Sequence, residues 1–264
     1  MKWWFSDYDG TINLQHNDYI DPRDLNFINE WIKEGNYFAI ATGRMENEIA
    51  PVLERQNIKW NYMVCNNGAV VYEKGVGAIL NASIPMNLRT EIIELFEAIR
   101  NKYILGYCIK DQRRDYSKVS TKEIDNNEFL SKYAPKENNF EIGKNEILNS
   151  PDLNLLYFYI NEDQVEEVKE LLKNKLIGCK AVRTHKNVIE IMKEEVSKAQ
   201  AIREIQKLKN FSLNDLLTSG DGENDIEMLS MTKNSFAMNG HQPGVEKHAT
   251  FLINNVFEIK NKIN

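Results

Sequence analysis

Apolar runs of strand length alternate with helix-period segments at both ends of this chain, and the alternation breaks in the middle. That rhythm constrains the fold more than any other feature. After the opening WWF, Leu25, Ile28 and Ile32 recur at helical spacing behind Asp21-Pro22, and Gly35 closes the helix. YFAIAT supplies a β-rich run. RMENEIAPVLERQ then reads as a helix with Met45, Ile49, Val52 and Leu53 as its apolar residues and Pro51 as a kink point, and YMVC at 62–65 as a third buried strand. Strand, helix, strand, helix, strand is the order of a parallel sheet covered by helices.

From about Pro85 the order changes. A helix carrying Ile92, Leu95, Phe96 and Ile99 leads to YILGYCI and the polar DQRRDYSK, and a second helix with Val165, Val168, Leu171 and Leu172 leads to GCKAVRT and NVIEIM. A helix followed by two short strands thus occurs twice, the mark of an α+β unit with a faint internal echo. After about Glu195 the alternation resumes with helical SKAQAIREIQKL, the strand DLLTSGD and the helix start NDIEML, and SFAM and FLI add further strands. The expected organisation is an α/β core of residues 1–84 and 191–264, interrupted by an α+β insertion at 85–190.

Composition narrows the class of function. With 264 residues, 42% hydrophobic and 27% charged, the chain can bury a real core and is not disordered. A formal net charge of −6 gives no basic field, which disfavours nucleic acid as a partner. Cys65, Cys108 and Cys179 are far apart and unpaired in spacing, against a disulfide framework and a zinc site alike. The longest apolar run, LLYFYI at 155–160, is strand-sized, and the few apolar residues before Ser6 are too short for a secretory signal. The expectation is a soluble cytoplasmic protein without a membrane partner; oligomeric state is not legible.

Four segments that carry chemistry fall at strand ends or helix starts: DYDGT, ATGR, VSKAQAI and GDGENDIEML. Each has a plain reading. Asp9-Gly10 between apolar runs is a hairpin signal, Thr42 a helix cap, Arg44 half of a surface ion pair, Lys198 a solvated lysine, and the acidic loop at Asp221 a helix cap. Each also has a chemical reading, in which strands deliver carboxylates to the carboxyl edge of a sheet and a helix start cradles phosphate. A calcium loop is excluded: counted from Asp7, the sixth position is Ile12 instead of glycine and the twelfth is Asp18 instead of glutamate.

In their order and spacing, the four segments resemble the haloacid dehalogenase superfamily of phosphohydrolases, and within it the Cof-type subfamily, which carries a large α+β cap between its second and third motifs. SFAMNG and PGVEKHAT are similar to that family's carboxyl-terminal pattern, so the resemblance spans nearly the whole chain. It implies a Rossmann-like core and a cap that closes over the site. It further implies a Mg2+-dependent phosphatase acting on a small phosphorylated metabolite, a sugar phosphate or similar monoester; a phosphomutase and a non-catalytic sensor are the alternatives. By resemblance Asp7 is the nucleophile, and Asp9 the acid and then the base. Thr42, Gly43 and the backbone N–H of Tyr8 hold phosphoryl oxygens, and Asn224 contacts phosphate. Lys198 stabilises the charge on nucleophile and phosphate. Asp221 binds the metal with the Asp7 carboxylate and the Asp9 carbonyl, and Asp225 orients Lys198 or supports the metal. Ala199 departs from the family, which commonly has glycine there. Asn66-Asn67-Gly68 also matches it, but an Asn-Gly turn explains that segment equally. Arg113, Arg114, Lys118, Arg183, His185 and Lys186 are the cap cations that could meet an anionic substrate.

Overall fold

The computed structural model describes residues 1–116, 140–185 and 187–263. The chain divides into two units, Met1–Leu80 with Val196–Asn264, and Asn81–Glu195. The expected core resumed at 191, but the strand Val188–Lys193 pairs inside the second unit, so the insertion runs on to Glu195. At its other end Asn81 belongs to the insertion, where Asn154 donates to its side chain at 2.7 Å.

The first unit is built on an eight-stranded sheet. Its strands are β1 (Trp3–Ser6), β2 (Tyr37–Ala41), β3 (Tyr62–Cys65), β4 (Val70–Glu73) and β5 (Gly77–Asn81), followed after the insertion by β11 (Leu216–Gly220), β12 (Ser235–Met238) and β13 (Phe251–Ile253). Their order is β13-β12-β11-β1-β2-β3-β4-β5. Pairing is parallel from β13 to β3 and becomes antiparallel at β4, so Asn66-Asn67-Gly68 does connect a hairpin. The Asp9-Gly10 turn does not, because β1 lies parallel to both neighbours.

Position between two strands explains the composition of β1, which must be apolar on both faces. Trp3 stacks on Tyr37 and Phe211 at centroid distances of 3.9 and 4.3 Å, on the side packed by helix α6 (Lys198–Lys209). Trp4 points the other way, into Phe27 and Trp31 of helix α1 (Pro22–Lys33) and Phe38 of β2. Helix α1 starts where expected: Pro22 occupies its first turn and the Asp21 carboxylate accepts from the Arg23 N–H at 2.8 Å. Helix α2 spans Glu46–Arg55 and includes Pro51.

The second unit has its own antiparallel sheet, in the order β7-β6-β8-β10-β9, from β6 (Ile104–Ile109), β7 (Gln112–Asp115), β8 (Leu153–Tyr159), β9 (Cys179–His185) and β10 (Val188–Lys193). Helices α3 (Arg89–Ile99), α4 (Phe140–Asn149) and α5 (Val165–Lys175) contribute Ile92, Phe96, Ile147, Val168 and Leu172 to a core with Leu105, Leu156, Phe158 and Ile189. Arg89 is buried within it. Its guanidinium donates to the carbonyls of Ile84, Ile147 and Ser150, which places a cation at the end of α4.

The three cysteines are free thiols, with Cys65 and Cys108 buried. Among the described residues no helix is long and apolar enough to cross a membrane.

Candidate active site

Register brings the motifs together. Ser6 pairs with Ser219 of β11 on one side and Ile40 of β2 on the other, so the residues just past these strand ends, Asp7, Asp221 and Thr42, share one edge of the sheet. The Asp7 backbone is fixed there from beneath. Its N–H donates to Ser219 O at 2.8 Å, and a buried relay runs from the Trp4 indole to the Ser219 hydroxyl, to the Ser6 hydroxyl, to the Asp7 carbonyl.

Lys198, the first residue of α6, is fully buried, so its reading as a solvated lysine is overturned. Its Nζ lies 2.6 Å from Asp7 Oδ1 and 2.7 Å from Asp225 Oδ1. Asp225 is completely engaged, because its other oxygen accepts the backbone N–H groups of Asp221 and Gly222 at 3.0 Å. Asp221 accepts from the Thr11 hydroxyl at 3.0 Å. Its carboxylate lies against the turn that follows Asp9: Gly10 has φ +88°, and a Cβ there would sit 2.3 Å from Asp221 Oδ2.

Asp7, Asp221 and Asp225 each offer a carboxylate oxygen within 4.8 Å of the others. Burial pushes the pKa of Asp7 well up, opposed by Lys198 and reinforced by Asp225 and Asp221. Burial and Asp225 raise Asp221 to about 7. Burial also works against the charge on Lys198, but Asp225 and Asp7 outweigh it and hold the ammonium above its usual value. Three carboxylates therefore cluster around one ammonium that bonds two of them, and an all-oxygen donor set of this kind fits a hard dication such as Mg2+.

Asp9 stands apart from this cluster. Arg44 forks onto it, with Nε 2.6 Å from Oδ2 and Nη2 2.6 Å from Oδ1, and Asn13 Nδ2 adds a bond of 2.9 Å to Oδ1. Arg44 is an ion-pair partner, as its plain reading had it, but at 11% side-chain exposure it is no surface residue. It also contacts Asp18 and lies 4.9 Å from the centroid of the buried Tyr8 ring. Burial, with Asp18 alongside, raises the Tyr8 hydroxyl far above its usual pKa and keeps it neutral.

Thr42 is buried but does not cap α2, whose first turn is closed by the Glu48 side chain accepting from the Met45 N–H at 3.0 Å. The Thr42 hydroxyl instead accepts from the Arg44 N–H at 3.1 Å across the half-buried Gly43. Asn67, left without chemistry by the sequence, reaches two motifs. Its N–H donates to Thr42 O at 3.0 Å, and its side-chain oxygen accepts from Asn224 Nδ2 at 2.9 Å. Asn66, Asn67 and Gly68 all have positive φ, and a Cβ at Gly68 would lie 2.2 Å from Ser197 O, beside Lys198. Asn13, Asp18 and Asn67 are the neighbours that sequence reasoning missed.

In the second unit Arg113 lies 5.0 Å from the centroid of Tyr157, Arg114 Nε is 3.7 Å from Glu146, and Arg183 lies on β9. Lys118 and Lys186 lie outside the described residues, as does the side chain of His185.

Motifs spread along the whole chain thus converge on the carboxyl edge of one parallel sheet, where open α/β folds place their sites. The chain belongs to the haloacid dehalogenase-like hydrolases, whose family model matches residues 4–258. Its fold, with the α+β insertion between Arg44 and Lys198, is that of the Cof-type branch. A relative from Buchnera aphidicola subsp. Schizaphis graminum, provisionally named a phosphatase, is 27% identical over 93% of this chain and 87% of its own length. Among solved structures, a sugar phosphatase of subclass IIB aligns with a TM-score of 0.77 at 21% identity, covering 96% of this chain and 93% of that one. A chain from Plasmodium vivax, provisionally described as a HAD/COF-like hydrolase, aligns with a TM-score of 0.81 at 24% identity, covering 99% and 95%.

Proposed function

We propose that this hydrolase is a magnesium-dependent phosphatase of small phosphorylated metabolites, sugar phosphates foremost, working through a phosphoryl group carried on Asp7. The observation that carries the reading is the buried Lys198 ammonium, held between Asp7 and Asp225 one residue past the end of the central strand. A cation fixed on a carboxylate in a water-poor setting stabilises charge where a phosphoryl group arrives, without reorganising. The sugar-phosphate class rests on the subclass IIB neighbour's own activity.

Asp7 Oδ2 attacks phosphorus, the bond from phosphorus to the leaving oxygen breaks, and Asp9 gives that oxygen a proton. Asp9 then takes a proton from the water that attacks the phosphorus of the aspartyl phosphate, releasing phosphate and restoring Asp7. Thr42, Gly43, the N–H of Tyr8 and Asn224 orient the phosphoryl oxygens, and Asp225 holds Lys198 in place. Asp7, Asp221 and the Asp9 carbonyl would hold Mg2+, which supplies charge neutralisation at the phosphoryl group.

Rapid-quench mass spectrometry with an aryl phosphate tests the division of labour. Asp7→Asn should form no phosphoenzyme. Asp9→Asn should accumulate phosphate on the amino-terminal peptide, because an aryl leaving group needs little protonation while the later attack of water still needs a base. Phosphate trapped on the Asp7 variant, or on another residue, rejects the mechanism.

A further inference from the structure

We infer that Asp18 is a positioning residue for the acid–base carboxylate, acting on Asp9 through Arg44 and Asn13. The inference rests on the roles proposed above for Asp7 and Asp9, and extends them to a residue outside every motif.

Asp9 lies in the loop that follows β1 and not on a strand, so its carboxylate depends on other side chains for its place. His16 Nδ1 lies 4.0 Å from its Oδ1, and the hydrogen bonds to it come from Arg44 and Asn13. Both of these donors also reach one further atom, Asp18 Oδ1: Arg44 Nη2 at 3.2 Å and Asn13 Nδ2 at 3.3 Å. The same two nitrogens that grip Asp9 Oδ1 are thus held from the far side by Asp18 Oδ1. Without that second acceptor the Arg44 fork loses one of the two carboxylates that grip it, and the fork and the Asp9 carboxylate can move together. Acid–base catalysis tolerates little such freedom, since a catalytic group must keep its place to within about 0.5 Å.

Asp18 is itself pinned. Its N–H donates to Asn13 Oδ1 at 3.0 Å, its carbonyl accepts from Nε2 of Gln56, just past the end of α2, at 2.8 Å, and the Tyr8 hydroxyl lies 3.5 Å from Oδ1. Arg55 approaches its other oxygen at 3.8 Å. Its φ of +61° is a left-handed conformation that aspartate, asparagine and glycine adopt more readily than other residues. A residue held in that conformation by four neighbours, with its carboxylate aimed at the partners of Asp9, is arranged to hold a geometry.

The left-handed backbone dictates the variants. Asp18→Gly removes the carboxylate without backbone strain, and Asp18→Asn keeps an acceptor oxygen. Phosphoenzyme formation from an aryl phosphate should stay within about twofold of wild type in Asp18→Gly. Phosphoenzyme hydrolysis, and kcat/KM for an alkyl phosphate whose leaving group needs a proton, should each fall by about tenfold, a fraction of the full acid–base contribution. Asp18→Asn should recover most of the loss. Combined with Asp9→Asn, the Gly substitution should slow hydrolysis no further, because the group it positions is already gone. Thermal melting checks that the variant folds; if it does not, Arg44→Lys, which keeps the charge but lacks the fork that joins Asp18 to Asp9, takes its place in the same measurements. Equal slowing of formation and hydrolysis, an unchanged ratio of alkyl to aryl turnover, or additive losses in the double variant would overturn the assignment. If Asp9→Asn by itself leaves phosphoenzyme hydrolysis unchanged, the acid–base reading fails first, and that result is distinct from an inert Asp18.

Discussion

At the scale of single residues, Gly10 shows how little room the site has. With φ at +88° and a Cβ position 2.3 Å from Asp221 Oδ2, alanine there must displace the carboxylate proposed to hold the metal. Gly10→Ala should lower magnesium-dependent turnover by more than about tenfold and raise the Mg2+ concentration needed for half-maximal activity, as a metal titration would show. The carboxylate cluster also makes stability depend on pH. Burial raises Asp221 from the ordinary carboxylate range to about 7, so between the two the native state holds a proton that the unfolded chain has released. In chelator, the stabilising contribution of this group should therefore be full in acid and decline as the pH rises toward 7. Bound Mg2+ favours the ionised form and should flatten that decline, which thermal melts at several pH values with and without the ion would check. The sequence offered Asp7, Asp9, Lys198 and Asp221 as candidates through the resemblance of their segments, in order and spacing, to a family's motifs. Asp18 and Asn67 escaped because their partners are remote, Arg44 lying 26 positions from Asp18 and Asn224 157 positions from Asn67, and no local pattern records such a contact.

Elements were legible where burial imposes a period. The runs WWF, YFAIA and YMVC announced parallel strands because central strands must be apolar on both faces. Helix α4 was not anticipated: its ten residues include Gly143, and only Gly143 and Ile147 are buried, too few to make a stripe. Its anchor is Arg89, five dozen positions upstream, whose guanidinium donates to the carbonyls of Ile147 and Ser150 along with that of Ile84. Arg89→Leu would keep the bulk but leave these acceptors without donors, at a cost of roughly 3 kcal/mol. A lower urea midpoint with loss of helical signal is the expected outcome, and an unchanged midpoint would show that water satisfies the carbonyls.

At the scale of the whole molecule, the sequence marked an insertion but set its end a few residues early, because NVIEIM has the same apolar look whichever sheet it joins. Pairing with β8 and β9 decides the matter. Each unit has a hydrophobic cluster of its own, around Trp4 and Phe38 in the first and Phe96 and Phe158 in the second. Replacing residues 81–195 by a short linker should therefore leave a folded first unit that still binds Mg2+ yet discriminates less among phosphomonoesters, read as a narrower spread of kcat/KM across a substrate panel. The divided first unit also has a consequence in time. Strand β1 is synthesised well before β11, which flanks it in the sheet and begins at Leu216. At about 5–20 residues per second, the nascent chain carries that apolar edge unmatched for roughly 10–40 s, while the inserted sheet, complete at Lys193, has already emerged. Chaperone capture during synthesis should accordingly fall on WWFS.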